Sequence, residues 1–115
     1  MKMKLTENEI QKFNTLITNA REKATLAVEE SGIRDGFPCG FAWVRISGRG
    51  KFALYAKEYL KAYKNYEASG LIIWYSHCYD CKGTQSVDRH NVAVGVFAEC
   101  LKEAGIKAFT GFRLD

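Results

Sequence analysis

The chain alternates between segments with helical periodicity and short apolar runs, and this order limits the folds open to it. Thr6 followed three residues later by Glu9 is a capping box, and the apolar residues after it recur every three or four positions as far as Ala27. The runs FAWVRIS, LIIWYSH and GIKAFTGFR are short and rich in aromatic and β-branched residues, so each predicts a strand. Two further predicted helices, over residues 50–67 and 87–104, separate these strands.

The predicted order α-β-α-β-α-β favours right-handed crossover connections and therefore a parallel sheet. We expect an α/β fold in which a small, mostly parallel three-stranded sheet packs with three helices. The 115 residues are enough for one compact core and too few for two ordinary domains, so residues 1–115 should form a single globular domain.

The first predicted strand is apolar on both faces. Its alternation places Phe41, Trp43 and Arg45 on one face and smaller aliphatic residues on the other. Such a face can stack bases beside an arginine that meets phosphate, or it can pack as core under a helix. The sheet is therefore either covered by helices on both faces or left with one aromatic face for a partner or a second subunit.

Positive charge is concentrated in the middle of the chain, whose net charge is +4 at pH 7. Residues 1–38 carry six cations and six anions and residues 69–115 carry five of each, whereas residues 39–68 carry six cations and two anions. This excess favours an anionic partner, and it leaves nucleic-acid binding through residues 39–68 open.

The sequence SGRGK, residues 47–51, stands between the first predicted strand and the second predicted helix. Backbone amides in a glycine-rich turn that leads into a helix form a concave site for phosphate or carboxylate. The spacing differs from GxxxxGK[ST], which excludes a Walker loop. We predict that the phosphate is bound by Ser47, Gly48, Arg49, Gly50 and Lys51. The alternative is that the glycines only form a tight turn and that the cations are solvated.

A second polar cluster lies at the start of the third predicted helix and consists of Gln85, Ser86, Arg89 and Asn91. In a parallel sheet this cluster and the SGRGK turn both follow the carboxyl ends of strands, where open α/β sheets place their ligands. We therefore expect the two segments to share one hollow, with the second cluster contacting a sugar or base. The competing interpretation is that these side chains only cap the helix.

Cys78 and Cys81 form a CxxC pair, with His77 beside it and His90 nine residues beyond it. These two cysteines and two histidines are enough in number for the four ligands of a tetrahedral zinc site, but the sequence has no second CxxC or HxxxH motif. Cys39 is excluded as a ligand if the first two strands are parallel, because it would lie at the opposite end of the sheet. We expect reduced structural thiols, no metal and no cofactor, with zinc as the alternative.

Tyrosines recur along one side of the second predicted helix, at Tyr55, Tyr59, Tyr63 and Tyr66. A row of this kind suits either the core or a homodimer interface. The chain shows no secretory signal and no apolar stretch that would span a bilayer, so we expect a cytoplasmic location and no membrane partner. Since no nucleophile, base and orienting acid can be assembled, we predict no catalytic residue.

The segments CGFAWVRI, SGRGKF, TQSVD and FAECLKEAGIKAFTGFRLD resemble small proteins encoded by bacteriophages and prophages, over residues 39–115. The resemblance implies expression in an infected bacterium and an accessory role such as countering host defence, and it assigns no activity. From the residues we predict a non-enzymatic protein that binds a nucleotide or a nucleotide-derived signal. The alternatives are an inhibitor that docks on a host protein and a nucleic-acid-binding protein.

Overall fold

The computed structural model describes residues 4–65 and 69–114. Within these ranges the chain forms three α-helices, four β-strands and a short 3-10 turn. In chain order the elements are α1 (Glu7–Ser31), β1 (Gly40–Ile46), α2 (Lys51–Tyr59), β2 (Tyr63–Lys64), β3 (Leu71–Trp74), the 3-10 turn (Tyr75–His77), α3 (Val87–Glu103) and β4 (Ala108–Leu114).

The four described strands form one sheet in the order β2-β3-β1-β4, and every neighbouring pair is antiparallel. The prediction of a mostly parallel three-stranded sheet is therefore wrong, and the observed element order is α-β-α-β-β-α-β. The part from β1 to β4 has the connectivity of the split β-α-β unit found in ferredoxin-like folds, with α1 added before it.

The error arises at α2, which ends at Tyr59 and does not continue to residue 67. The backbone amides of Leu60 and Ala62 both donate to the carbonyl oxygen of Ala56, and Lys61 adopts a left-handed φ of 55°. The chain then turns back into the two-residue strand β2, which pairs with β3 as a hairpin. This extra strand reverses the direction of β3 relative to β1.

Several elements confirm the sequence predictions. Thr6 and Glu9 form the capping box of α1, and this helix ends at Gly32 with a left-handed φ of 72°. Ser86, a member of the polar cluster for which capping was the competing interpretation, caps α3 by accepting a hydrogen bond from the backbone amide of Arg89. The local signals of helix ends were therefore reliable even where the topology was not.

The three helices cover one face of the sheet. The core consists of the helix-facing side chains of β1 and β3 together with side chains of α2 and α3. It includes Ala42, Val44, Ile46, Leu71, Ile73, Phe52, Ala56, Phe97 and Leu101. The opposite face, which we call the open face, consists of Phe41, Trp43, Arg45, Tyr63, Ile72, Trp74, Phe109, Gly111 and Arg113. The sequence left open whether helices cover both faces of the sheet or only one, and in the structure they cover only one.

α1 packs on α3 and, through its first half, on α2. The ring of Phe13 contacts those of Phe52 and Tyr55, with centroids 5.3 Å apart in both pairs. The hydroxyl of Tyr55 donates to Oδ1 of Asn14 over 2.6 Å. These contacts bury Tyr55 in the core, so the structure uses it for packing.

The sheet edge where β1 ends depends on a glycine at the start of β3. Gly70 has φ of 96°, and a Cβ built there would lie 2.2 Å from the carbonyl oxygen of Ile46. A side chain at this position would therefore meet both an unfavourable backbone conformation and a backbone atom that has no room to move.

We expect Gly70→Ala to lower the free energy of unfolding by about 3 kcal/mol or more, because strain and a backbone clash add. Gly95 in α3 is the matched control, since a Cβ there would meet nothing within 4 Å. Gly95→Ala should raise stability by roughly 0.5–1 kcal/mol through helix propensity. Urea unfolding of both variants measures the two effects, and an unchanged stability of Gly70→Ala would contradict the close approach.

Candidate functional site

The two predicted halves of the ligand site lie at opposite ends of β1. The backbone amide of Gly40 donates to the carbonyl oxygen of Gln85 over 3.1 Å, and that of Val87 donates to Pro38 over 3.0 Å. The start of α3 is therefore beside the beginning of β1, whereas the SGRGK turn follows its end, about 20 Å away at roughly 3.4 Å per residue. The predicted shared hollow is wrong, because β3 runs antiparallel to β1.

At the start of α3, the predicted ligand residues contact their own chain. The Asp35 carboxylate accepts hydrogen bonds from the backbone amides of Gln85 and Ser86, over 2.9 and 3.2 Å, and the first of these is the main reason that its pKa is lowered. The guanidinium of Arg89 donates to the carbonyl oxygen of Ile33 over 2.7 Å. Asn91 lies half-exposed on the first turns of α3. Ser86 caps α3, and the contacts of Asp35 and Arg89 tie this end of the sheet to the segment before β1, so these side chains are used within the protein.

The other end of the sheet contains a cavity whose described charged lining residues all carry the same sign, which we call the basic hollow. It has a volume of about 610 Å³ and opens between the end of β1, α2, β2 and the start of β4. Its charged lining residues are all cations: Arg45, Arg49, Lys57, Lys64 and Lys107. Among the described residues that line it, no carboxylate balances them.

The antiparallel register brings these cations together. Ile46, the last residue of β1, pairs with Leu71 at the start of β3 and with Ala108 at the start of β4. Lys107 and the loop after β1 therefore meet at one edge, although they are far apart in sequence. Lys57 joins them from the last turn of α2.

Arg45 is held in place at the rim of the basic hollow. One terminal nitrogen of its guanidinium donates to the carbonyl oxygen of Ser69 over 3.2 Å. The guanidinium carbon lies 4.9 Å from the centroid of the Phe109 ring, within cation–π range. These two contacts fix the direction of the guanidinium.

The SGRGK turn divides between two roles. Ser47, Gly48 and Arg49 line the basic hollow, and the backbone amide of Arg49 donates to Oγ of Ser47 over 3.2 Å. Gly50 caps α2 outside the lining, and the ammonium of Lys51 forms an ion pair with Glu9 of α1. The hydrogen bond from Lys51 lowers the pKa of Glu9 to about 2. Lys51 is thus committed to the packing of α1 on α2.

The open face carries an aromatic cluster on its two central strands. The indole rings of Trp43 and Trp74 are parallel within 6°, with centroids 6.1 Å apart. The ring of Phe41 lies 5.4 Å from that of Trp74, and the Arg113 guanidinium lies 5.4 Å from the centre of Phe41. A Cβ at Gly111 would come within 2.6 Å of the Trp43 ring, so the glycine provides the space for the indole.

Sequence reasoning placed Phe41, Trp43 and Arg45 on one face, and the structure confirms it. It missed that Trp74, Phe109 and Tyr63 join the same face. The alternation in LIIW and AFTGF was readable, but only an antiparallel register aligns Trp74 with Trp43 and Phe109 with Arg45. It also missed Lys107, which has no local signal.

The cysteine segment is packed into the fold. Cys78 is fully buried, its thiol donates to the carbonyl oxygen of Trp74 over 3.6 Å, and burial raises its pKa. In residues 4–65 and 69–114, no group of three or more His, Cys, Asp or Glu side chains is arranged to hold a metal ion. The zinc alternative at His77, Cys78, Cys81 and His90 therefore has no support in the geometry.

His90 is buried beneath two tyrosines. Its Nδ1 lies 2.7 Å from the Tyr79 hydroxyl, and its ring stacks on Tyr75 with centroids 3.7 Å apart. Burial lowers the pKa of His90 to about 4. The imidazole is therefore neutral at physiological pH and contributes to packing between α3 and the 3-10 turn.

The predicted tyrosine row does not form on one helix. Tyr55 is buried in α2, Tyr59 ends that helix, and Tyr63 belongs to β2 on the open face. Tyr66 lies outside the described residues. Tyr55, Tyr59 and Tyr63 therefore do not form one helical row, and the homodimer stays a prediction.

No protein-family model, no curated protein and no solved structure matches this chain. The resemblance to phage-encoded proteins, the anti-defence role, the cytoplasmic location and the host-protein partner stay predictions. In the described part of the chain, no helix combines the length and the apolar character needed to cross a membrane.

We expect acid to destabilise the fold through His90. The pKa of His90 is about 4 in the folded protein, whereas its ordinary value is 6.5. Between pH 4 and pH 6.5 the unfolded chain therefore binds a proton at this side chain that the folded protein does not bind. This contribution to stability is complete above pH 6.5 and decreases by up to about 3 kcal/mol as the pH falls to 4. His90→Gln should flatten the dependence in urea unfolding. An NMR titration showing the His90 imidazole protonating near pH 6.5 would contradict it.

Proposed function

We propose that the protein binds a phosphate-bearing ligand in the basic hollow. The observation that supports this most is the convergence of five cationic side chains, from β1, its following loop, α2, β2 and the residue before β4, without a described carboxylate in the lining. A cavity lined by one sign of charge concentrates the opposite charge and speeds its association.

The chemistry of the lining favours phosphate. Arg45 is fixed by Ser69 and Phe109, and a fixed guanidinium offers paired N–H groups that match the oxygens of phosphate. The lysines are mobile point charges that can follow a ligand carrying several phosphates. The volume of about 610 Å³ is within the range of small-molecule and cofactor sites.

This proposal keeps part of the predicted site and changes the rest. Ser47, Gly48 and Arg49 are retained because they line the basic hollow. Lys51 is left out of the proposed site, because it pairs with Glu9, and cations from other elements supply the charge instead. The polar cluster at the start of α3 is not part of it.

Removing two cations from the basic hollow should weaken binding of inorganic tripolyphosphate by about tenfold or more, since charge-assisted contacts are lost. We would measure the Kd of Arg49→Ala/Lys57→Ala by isothermal titration calorimetry at about 0.15 M salt, where distant charges are screened. The matched control is Arg34→Ala/Lys12→Ala, which removes the same residue types and charges from exposed positions outside the basic hollow.

The control should bind tripolyphosphate within about twofold of the unchanged protein, because general charge acts only weakly at a distance in salt. Equal weakening in both double variants would mean that net charge, and not the basic hollow, attracts the anion. That result would reject the proposed site.

A further inference from the structure

We infer that the ligand is single-stranded nucleic acid, whose phosphates enter the basic hollow and whose bases stack on the open face. This inference rests on the proposed function and names the class of ligand for the same site. It follows from the position of the aromatic cluster relative to the cations.

The basic hollow and the open face form one continuous surface. Arg45, Tyr63 and Phe109 belong to both, since they line the basic hollow and lie on the open-face side of β1, β2 and β4. A second cavity of about 240 Å³ continues along the face between Trp43, Trp74 and Arg113. A ligand held by its phosphates in the basic hollow would therefore have its next units over the indole rings.

The arrangement of rings and cations matches what single strands offer. Proteins bind unpaired bases by stacking them on aromatic side chains and bind the backbone with Arg and Lys, and the aromatic side chains of a four-stranded sheet can stack two or three bases. Here the rings of Trp43 and Trp74 are parallel neighbours on the central strands. Tyr63 and Phe109 add rings that are 49% and 55% exposed beside the basic hollow.

The length of the face indicates an oligomer and not a single nucleotide. Phe41 and Arg45 stand four residues apart on β1, which is about 14 Å at roughly 3.4 Å per residue. Cations lie at both ends of this distance, with Arg45 over Phe109 and Arg113 over Phe41. One nucleotide has one base and would leave most of the face uncovered, whereas a short strand reaches both ends.

A duplex fits less well than a single strand. Its bases are stacked within the helix, so their faces cannot lie on the indole rings. A protein partner could use the aromatic rings and arginines of the open face. It would have to supply in addition a run of acidic groups for the basic hollow, whereas a single strand carries phosphates and bases together.

Intrinsic fluorescence gives a direct test, because both tryptophans of the chain lie on the open face. We would titrate the full chain with an oligothymidylate of about eight nucleotides and, separately, with inorganic tripolyphosphate. Stacked bases should quench the tryptophan emission, whereas tripolyphosphate should bind without quenching. The oligonucleotide should also bind at least about tenfold more tightly than tripolyphosphate, since each stacked base adds affinity.

Tyr63→Ala tests the stacking contribution with a matched control. Tyr63 is 49% exposed on the open face, and Tyr59 is 43% exposed outside both cavities. Tyr63→Ala should weaken oligothymidylate binding by about fivefold or more, and by a larger factor than it changes tripolyphosphate binding, because tripolyphosphate carries no base to stack on the ring. Tyr59→Ala should leave oligothymidylate binding unchanged.

The salt dependence tests the phosphate contribution on the same strand. The slope of log K against log salt changes by about 0.7 for each phosphate contact with single strands, so Arg49→Ala/Lys57→Ala should reduce it by about 1.4. Tyr63→Ala should leave the slope unchanged, because stacking releases no counterions.

The outcomes separate this inference from the proposed function. If tripolyphosphate binding depends on Arg49 and Lys57 but oligothymidylate binds no more tightly and quenches nothing, the basic hollow binds phosphate and the nucleic-acid inference is overturned. If a duplex of the same length binds as tightly as the single strand, stacking is likewise rejected. If neither probe responds to Arg49→Ala/Lys57→Ala, the proposed function fails and the inference fails with it.

Discussion

The antiparallel pairing of β1 with both β3 and β4 is the constraint on which the rest of the structure depends. Because opposed residues on neighbouring strands point to the same face, the alternation within β1 divides the whole sheet into a helix-covered side and an open side. The same pairing sets the end of β1 against the beginnings of β3 and β4. The loop after β1 therefore meets Lys107 and the start of β3, and Gly70 provides the room for this approach. The register thereby brings Lys107 to the same edge as cations of residues 39–68.

The pairing also links the two surfaces that we propose to act together. Arg45 occupies the last open-face position of β1, where it contacts Phe109 on β4 and the carbonyl oxygen of Ser69 before β3. It is therefore the residue at which the aromatic open face becomes the basic hollow. At the opposite end of β1, the carboxylate of Asp35 and the Ser86 cap hold the chain around the start of α3. That end is built from contacts within the protein, which explains why polar residues there gave a misleading signal of ligand binding.

The sequence predicted what is local and failed on what depends on direction. The capping box of α1, the Ser86 cap of α3 and the alternation in β1 are each set by a few neighbouring residues, and the structure confirms all three. The hairpin of β2 and β3 was missed because Tyr63 continues the helical spacing of Tyr55 and Tyr59 and because β2 has only two residues. Without β2, the next strand was read as parallel to β1. Because β2 was missing, the predicted topology placed the start of α3 at the wrong end of the sheet. It also placed Lys107 at the end away from the cations that it joins in the structure.

The most direct measurement is a two-dimensional NMR titration of nitrogen-15-labelled protein with a short single-stranded oligonucleotide. The two tryptophan indole N–H signals report on Trp43 and Trp74, and the backbone amides report on both ends of β1. We predict that both indole signals shift together with amides at 45–49, 63–64 and 107–113. Shifts concentrated at 85–91, with the indole signals unmoved, would show that binding occurs at the start of α3 and would contradict a surface formed by the open face and the basic hollow.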